Sequence, residues 1–237
     1  MADAIWYEEE LSPTERTVEQ FTSNAKGLER SRTAKVVYET RGKVRLHQPV
    51  WKRLTDIQNI LTSGIQAAFY QVRLGFEVEV SQEAREAGAQ FVLALCSARM
   101  WSAASSQVQP SVYDIYPSYL TEGKAREVAV EFGPEIKVGE VSGSLGKAST
   151  DVRIGQIVPV IVGWKGDGER EPHWEFRPES KTFVGGQHLW MLVQVPEECE
   201  GARLAVQVEG DIRTHRGILA VGPKERVWDK RKTVLIR

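Results

Sequence analysis

The sequence is poor in the residues that build covalent and metal-based structure. Its 237 residues include four histidines and only two cysteines, Cys96 and Cys199. The cysteines form no C-x-x-C pair, which excludes a zinc knuckle or dithiol site and predicts two reduced thiols, with a single disulfide as the alternative. No two histidines have the i, i+2 or i, i+4 spacing of a zinc site. We therefore expect no metal and no cofactor.

Long apolar runs are also missing. No stretch approaches the roughly 18 apolar residues of a helical membrane span, and the N-terminal MADAIWYEEELSPTER lacks the apolar centre of a signal peptide. The hydrophobic content of 41% and the charged content of 27% are typical of a soluble globular protein. These features predict a cytoplasmic protein without a membrane span.

One stretch imitates a phosphate-binding loop but lacks its required positions. In VSGSLGKAST (141–150), a Walker-type loop needs glycine where Val141 stands and a hydroxyl where Ala148 stands. The nucleophile-elbow pattern G-x-S-x-G fails as well, because Ser142 takes the place of its first glycine. The residues that follow are rich in valine and isoleucine, which favour strands. The stretch is therefore predicted to connect two strands of a hairpin.

The first third of the chain carries helix signals. Ser12-Pro13-Thr14-Glu15 has the pattern of a capping box, which predicts a helix from Pro13 to about Arg30. A second helix is predicted from Pro49, because apolar residues recur there on one helical face: Val50, Leu54, Ile57, Leu61 and Ile65. Between them, KVVYETRGKVRLH indicates a small hairpin. Residues 1–75 are thus predicted to form a mixed helical region.

The rest of the chain alternates with period two. FEVEV (76–80) alternates, and REVAVEF places Val128, Val130 and Phe132 on one face and Glu127 and Glu131 on the other. Glycine-containing turns separate such segments, with no helical period between them. The predicted fold class is α+β: a helical N-terminal region packed on an antiparallel β-sandwich domain of residues 76–237, immunoglobulin-like in general pattern.

Aromatic residues supply the first binding candidates. SVYDIYPSYL contains Tyr113, Tyr116 and Tyr119, and PHWEF contains Trp174. Exposed tyrosine and tryptophan can form a patch that binds a protein or a sugar. The alternative is that these rings cover the open edges of the sandwich core.

Charge supplies the second set of candidates, which includes Arg41 and Arg45. From Lys26 to Arg53 there are nine basic and two acidic residues, although the whole chain has a net charge of −1. We expect this segment to pair internally with acids such as Glu8, Glu9 and Glu10, or to dock another protein or a second copy of the chain. Nucleic-acid binding through residues 26–53 is a less favoured alternative, because nucleic-acid-binding domains are commonly basic overall.

Catalytic signals are weak. A nucleophile needs a base within reach and a group that orients the base, and the sequence shows no motif that brings these together. The favoured function is therefore a non-catalytic protein-interaction or assembly module of a soluble intracellular protein. The alternative is a hydrolase whose site is assembled from distant residues, with Asp211, His215 and His173 as candidates.

Overall fold

The computed structural model describes residues 4–23, 27–54, 57–58, 66–105, 107–116, 119–120, 127–129, 137–138, 151–153, 160–165, 170–177, 186–224, 228 and 232–237. The helices are α1 (Glu15–Ser23), α2 (Gly27–Glu39) and α3 (Gln82–Glu86), and a 3-10 turn spans Glu197–Cys199. The first strands are β1 (Ile5–Pro13), β2 (Gly42–His47), β3 (Val50–Leu54), β4 (Ile57–Gln58), β5 (Ala67–Val80), β6 (Gln90–Ser102), β7 (Ser111–Tyr116) and β8 (Tyr119–Leu120). The later strands are β9 (Glu127–Ala129), β10 (Lys137–Val138), β11 (Asp151–Arg153), β12 (Val160–Lys165), β13 (Pro172–Arg177), β14 (Gln187–Pro196), β15 (Ala202–Thr214), β16 (Gly217–Pro223) and β17 (Thr233–Ile236).

Thirteen of these strands form one antiparallel sheet. Its order is β7-β14-β5-β2-β1-β16-β15-β6-β13-β12-β8, with β17 beside β15 and β3 beside β5. The longest strands, β5, β6 and β15, have alternating apolar residues on one face, which is the pattern of a sheet covered on one side. β12 also lies beside β7, so the two ends of the path approach each other.

The sheet curves so that distant strands face each other across a single core. The rings of Phe76 on β5 and Phe176 on β13 meet edge to face at 5.0 Å between centroids. Tyr7 on β1 donates a hydrogen bond of 2.8 Å to the carbonyl oxygen of Val206 on β15. Both phenylalanines are fully buried, and burying such a side chain stabilises the fold by about 1.5–3 kcal/mol.

Two short strand pairs stand apart from the main sheet. β9 pairs with β11, and β4 pairs with β10, each as a separate two-stranded antiparallel sheet. Their register places Val128 opposite Val152 and Val138 opposite Ile57. The connection predicted for residues 141–150 lies outside the described residues.

α1 and α2 lie together beside the β15–β16 hairpin. The predicted helix from Pro13 to Arg30 is two helices, since α1 ends at Ser23 and α2 begins at Gly27, whose φ is 57°. Thr14 caps α1, because its Oγ1 accepts a 3.3 Å hydrogen bond from the Thr17 backbone nitrogen. The backbone nitrogen of Thr14 also donates to the Ala220 carbonyl at 3.0 Å, which fixes α1 beside β16. Within the described residues, no helix has both the length and the apolar character needed to cross a bilayer.

The predicted fold class is wrong. The main architecture is one continuous curved sheet, and the chain enters it at β1, ahead of any helix. The helix predicted from Pro49 is replaced by β3 and β4, while Leu61 and Ile65 lie outside the described residues. β3 forms a ladder with β5, from Val50 opposite Arg73 to Leu54 opposite Phe69. These long-range backbone hydrogen bonds outweigh a local apolar spacing that is typical of a helix.

Candidate functional site

A ladder of opposite charges crosses the outer face of β1, β2 and β5. Arg45 on β2 contacts Glu8 on β1 through Nε at 3.3 Å and Glu79 on β5 through Nη2 at 2.7 Å, and its Nη1 lies 3.6 Å from Glu77. Lys43 pairs with the same Glu8. The hydrogen bond from Lys43 lowers the pKa of the Glu8 carboxyl below its ordinary value. The strand register causes this pairing, because Glu8 lies opposite Arg45 and Arg45 opposite Glu77.

The ladder continues to the end of α2. Arg41 pairs with Glu10, and Arg85 on α3 lies 3.8 Å from Glu79. A cleft of about 750 Å³ opens beside these residues. The predicted binding candidates Arg41 and Arg45 therefore have intramolecular carboxylate partners, and a binding role for either residue stays a prediction.

The aromatic candidates do not share one environment. Tyr113 packs edge to face on Phe69 at 6.1 Å, and Tyr116 packs on Trp190 at 6.2 Å, so both rings cover the sheet formed by β7, β14 and β5. Tyr119 begins β8, three residues after Tyr116. Trp174 is completely buried in the core. The four residues therefore do not form one exposed patch, and their role as contacts for a partner stays a prediction.

The three residues of the hydrolase alternative do not converge. His173 hydrogen-bonds through Nδ1 with the Ser97 hydroxyl at 2.8 Å, in the row of the sheet that also contains Gln207. Asp211 lies four residues beyond Gln207, or about 13 Å along the strand. His215 lies at the β15–β16 turn, where its Nε2 accepts a hydrogen bond from Arg216 Nε at 3.2 Å. An orienting carboxylate cannot act over such a distance, so the prediction of a site from Asp211, His215 and His173 is wrong.

The two cysteines are free and buried. Burial raises the pKa of the Cys96 thiol strongly, and burial likewise raises the pKa of Cys199. A nucleophilic cysteine needs the opposite shift, so neither thiol is activated. Among the described residues, no group of three or more histidine, cysteine or acidic side chains is placed to hold a metal ion.

β9 begins a segment in which apolar residues alternate with charged or small ones. Val128, Val130, Phe132, Pro134, Ile136 and Val138 are apolar at every even position over eleven residues, and the odd positions between them are charged or small. The register of β9 with β11 places Val128 opposite Val152, flanked by Glu127 opposite Arg153. Val128 and Val152 therefore share one face of this ladder. The alternation in REVAVEF predicts a strand, and β9 covers its first part.

Comparison with known proteins finds likeness only among solved structures. No protein-family model matches the chain, and no curated protein matches it. A structure described as the Clostridium perfringens NetB toxin in the membrane inserted form has 7% identity and a TM-score of 0.31, covering 79% of this chain and 100% of the toxin. A structure described as a pore forming protein has 7% identity and a TM-score of 0.42, covering 98% of this chain and 95% of that one. Likenesses this low assign no family to the chain.

These findings nevertheless contradict the predicted function. One similar structure is a toxin in a membrane-inserted form and the other is a pore-forming protein, and neither description fits a cytoplasmic interaction module. The predictions of a non-catalytic module of a soluble intracellular protein and of a cytoplasmic location are therefore wrong. The nucleic-acid alternative for residues 26–53 has no support either, since Arg41, Lys43 and Arg45 are already paired with carboxylates.

Proposed function

We propose that this chain is a subunit of a membrane pore and inserts residues 128–152 as a transmembrane β-hairpin. The observation that carries the proposal is the unbroken alternation of residues 128–138 together with the β9–β11 register. A transmembrane strand needs roughly 9–11 residues, with apolar residues facing lipid and polar residues facing water. The eleven residues from Val128 to Val138 meet both requirements.

The return arm supports the same arrangement. In the β9–β11 register the return arm opposite residues 128–138 is residues 142–152. Its even positions carry no charge and are Ser142, Ser144, Gly146, Ala148, Thr150 and Val152, whereas Lys147 and Asp151 lie at odd positions. Because Val128 lies opposite Val152, the even residues of both arms face lipid on the same side of the hairpin. Its polar side faces the water-filled lumen, with Glu127 across from Arg153.

The connection between the arms is short. Continuing the register of β9 with β11 along the hairpin places residue 138 opposite residue 142, so the turn is Gly139-Glu140-Val141. Glycine favours such a turn because it tolerates unusual backbone angles. Insertion releases Lys137 and Val138 from their pairing with β4.

A pore of this kind requires several copies of the chain. In the bilayer interior every backbone donor and acceptor must be satisfied by other strands, so a lone hairpin with two open edges is not stable there. Transmembrane β-structures have about eight strands or more, and each copy supplies two. The partner is therefore a second copy of the same chain, in a ring of at least about four subunits.

The test is dye release from phospholipid vesicles by the parent chain and by two neighbouring substitutions. Phe132→Lys places a charge on the lipid side near the middle of the arm, which costs about 2–4 kcal/mol in each subunit. We expect this variant to lose release. Glu131→Lys changes the charge more but faces the lumen, so release persists and the pore shifts its preference from cations toward anions.

Equal melting temperatures in water for the parent and both variants show that neither change affects folding. A parent that releases no dye contradicts the proposal. Equal release by Phe132→Lys and Glu131→Lys contradicts it too, because the two residues then do not lie on different sides of an inserted strand.

A further inference from the structure

Four arginines at one end of the molecule make no ion pair within the described residues, unlike the basic residues of the charge ladder on β1, β2 and β5. Arg30 and Arg32 on α2, and Arg213 and Arg216 at the β15–β16 turn, are exposed. Within the described part of the chain none of the four makes an ion pair, whereas Arg41, Lys43, Arg45 and Arg85 all do. Glu29 is the one acidic residue among residues 27–33 and 212–218. The two segments carry a charge of +3, which Glu15, Arg16 and Glu19 of the neighbouring α1 reduce to +2, so this end of the molecule keeps a net positive charge.

Direct contacts hold the two segments together. Arg216 Nη1 donates a 3.4 Å hydrogen bond to Thr33 Oγ1 on α2. Phe21 of α1 covers Gly217, where an added Cβ would lie 3.1 Å from its ring. Gly217 has a φ of 135°, which allows the tight turn that presents Arg216 to the helix. Arg216 is thus held against α2, the helix that carries Arg30 and Arg32.

Apolar side chains are exposed beside these cations. Leu28 is 81% exposed and Ile218 is 50% exposed. Leu28, Arg32 and Lys35 follow each other at spacings of four and three, so they form one outward stripe of α2. Ile218 lies opposite Arg213 in the β15–β16 ladder. Cationic and apolar groups therefore alternate across the surface.

We infer that this surface, formed by Leu28, Arg30, Arg32, Arg213, Arg216 and Ile218, docks the chain on a membrane that carries anionic phospholipids. Arginine donors match lipid phosphates and carboxylates, and the neighbouring leucine and isoleucine enter the apolar boundary below the head groups. Nucleic acid would leave the two apolar side chains in water. The inference rests on the proposed membrane function, but it concerns attachment rather than insertion.

Vesicle flotation measures attachment separately from pore formation. The probes are vesicles of phosphatidylcholine alone and of equal parts phosphatidylcholine and phosphatidylserine. We expect the parent to bind the anionic vesicles preferentially. Binding should fall between roughly 0.1 and 1 M salt, as the screening length drops from about 10 to about 3 Å. Arg30→Gln with Arg32→Gln should weaken binding by about 30-fold, since each basic residue near an anionic surface contributes about a factor of five.

The matched control is Arg203→Gln with Arg237→Gln. Both residues are exposed, the change in net charge is the same, and Arg203 is ten residues from Arg213 along β15, or about 33 Å. The control should bind like the parent. If both variants weaken vesicle binding equally, net charge alone explains the binding and the docking surface is overturned.

Two further outcomes are decisive. Binding of an RNA oligonucleotide that is as tight as vesicle binding, and is lost in the α2 variant, overturns the membrane assignment. Dye release without any dependence of binding on Arg30 and Arg32 overturns the docking surface while the pore stands. Arginine-dependent binding without dye release supports the docking surface and contradicts the pore.

Discussion

Gly210 tests the register at the centre of the main sheet. It lies opposite Ala94, where β15 and β6 run side by side. A Cβ added at Gly210 would lie 2.2 Å from the Leu93 carbonyl oxygen and 3.2 Å from the Ala94 Cα atom. Both obstacles are backbone atoms, so no side-chain rotation relieves the contact, and the strands must separate locally. Overpacking of this kind costs about 1–3 kcal/mol and more when rigid atoms are involved.

We therefore expect Gly210→Ala to destabilise the chain by about 3 kcal/mol or more. For a chain of this length, such a loss lowers the melting temperature by about 6–12 °C. Gly186→Ala is the matched control, because a Cβ there meets nothing closer than His47 Cε1 at 3.4 Å. Both substitutions restrict the unfolded chain equally, so thermal and urea denaturation of the pair isolates the backbone clash. Equal melting temperatures for the two variants would refute the β6–β15 register.

Two further predictions concern buried ionisable groups. Burial raises the pKa of the Asp211 carboxyl, although Arg177 opposes the shift. The folded chain then binds this proton more tightly than the unfolded chain, and the contribution of Asp211 to stability falls as pH rises through the raised pKa. Asp211→Asn should therefore raise the free energy of unfolding near neutral pH and lose this gain in acid. Urea denaturation at the two pH values measures the difference. A gain in stability that grows in acid would contradict the raised pKa of Asp211. Cys96 and Cys199 are fully buried, so a maleimide reagent should label neither thiol in the native chain and both in urea, and rapid native labelling would contradict their burial.

The strands with strict alternation could be predicted from the sequence. FEVEV, for example, ends β5. Its residues two apart face the same side, and burial of one face makes the pattern visible without knowledge of the partner strand. The two free thiols were predicted too, and the structure confirms them. These features depend on local patterns alone.

The errors occurred where distant residues decide the local structure. The acidic run Glu8-Glu9-Glu10 does not have the pattern of a strand, although it lies within β1. Glu8 and Glu10 are stabilised there by ion pairs with the basic residues Lys43, Arg45 and Arg41. In α2, Val36 and Val37 suggested a strand, but Val37 is buried beneath the helix. The apolar spacing from Val50 predicted a helix, and the ladder of β3 with β5 overrides that local preference. The internal charge pairing could be anticipated from composition, whereas its register could not.

The most direct test of the proposed pore is a residue-by-residue fluorescence scan of positions 128–138. Single cysteines introduced there, labelled with a polarity-sensitive dye, report whether each position meets lipid or water when the chain is bound to vesicles. Because Cys96 and Cys199 are buried, the native thiols need no replacement. The account predicts lipid-like emission at even positions and water-like emission at odd positions across the whole arm. Water-like emission at every position, or a repeat of about 3.6 residues, would contradict the inserted hairpin.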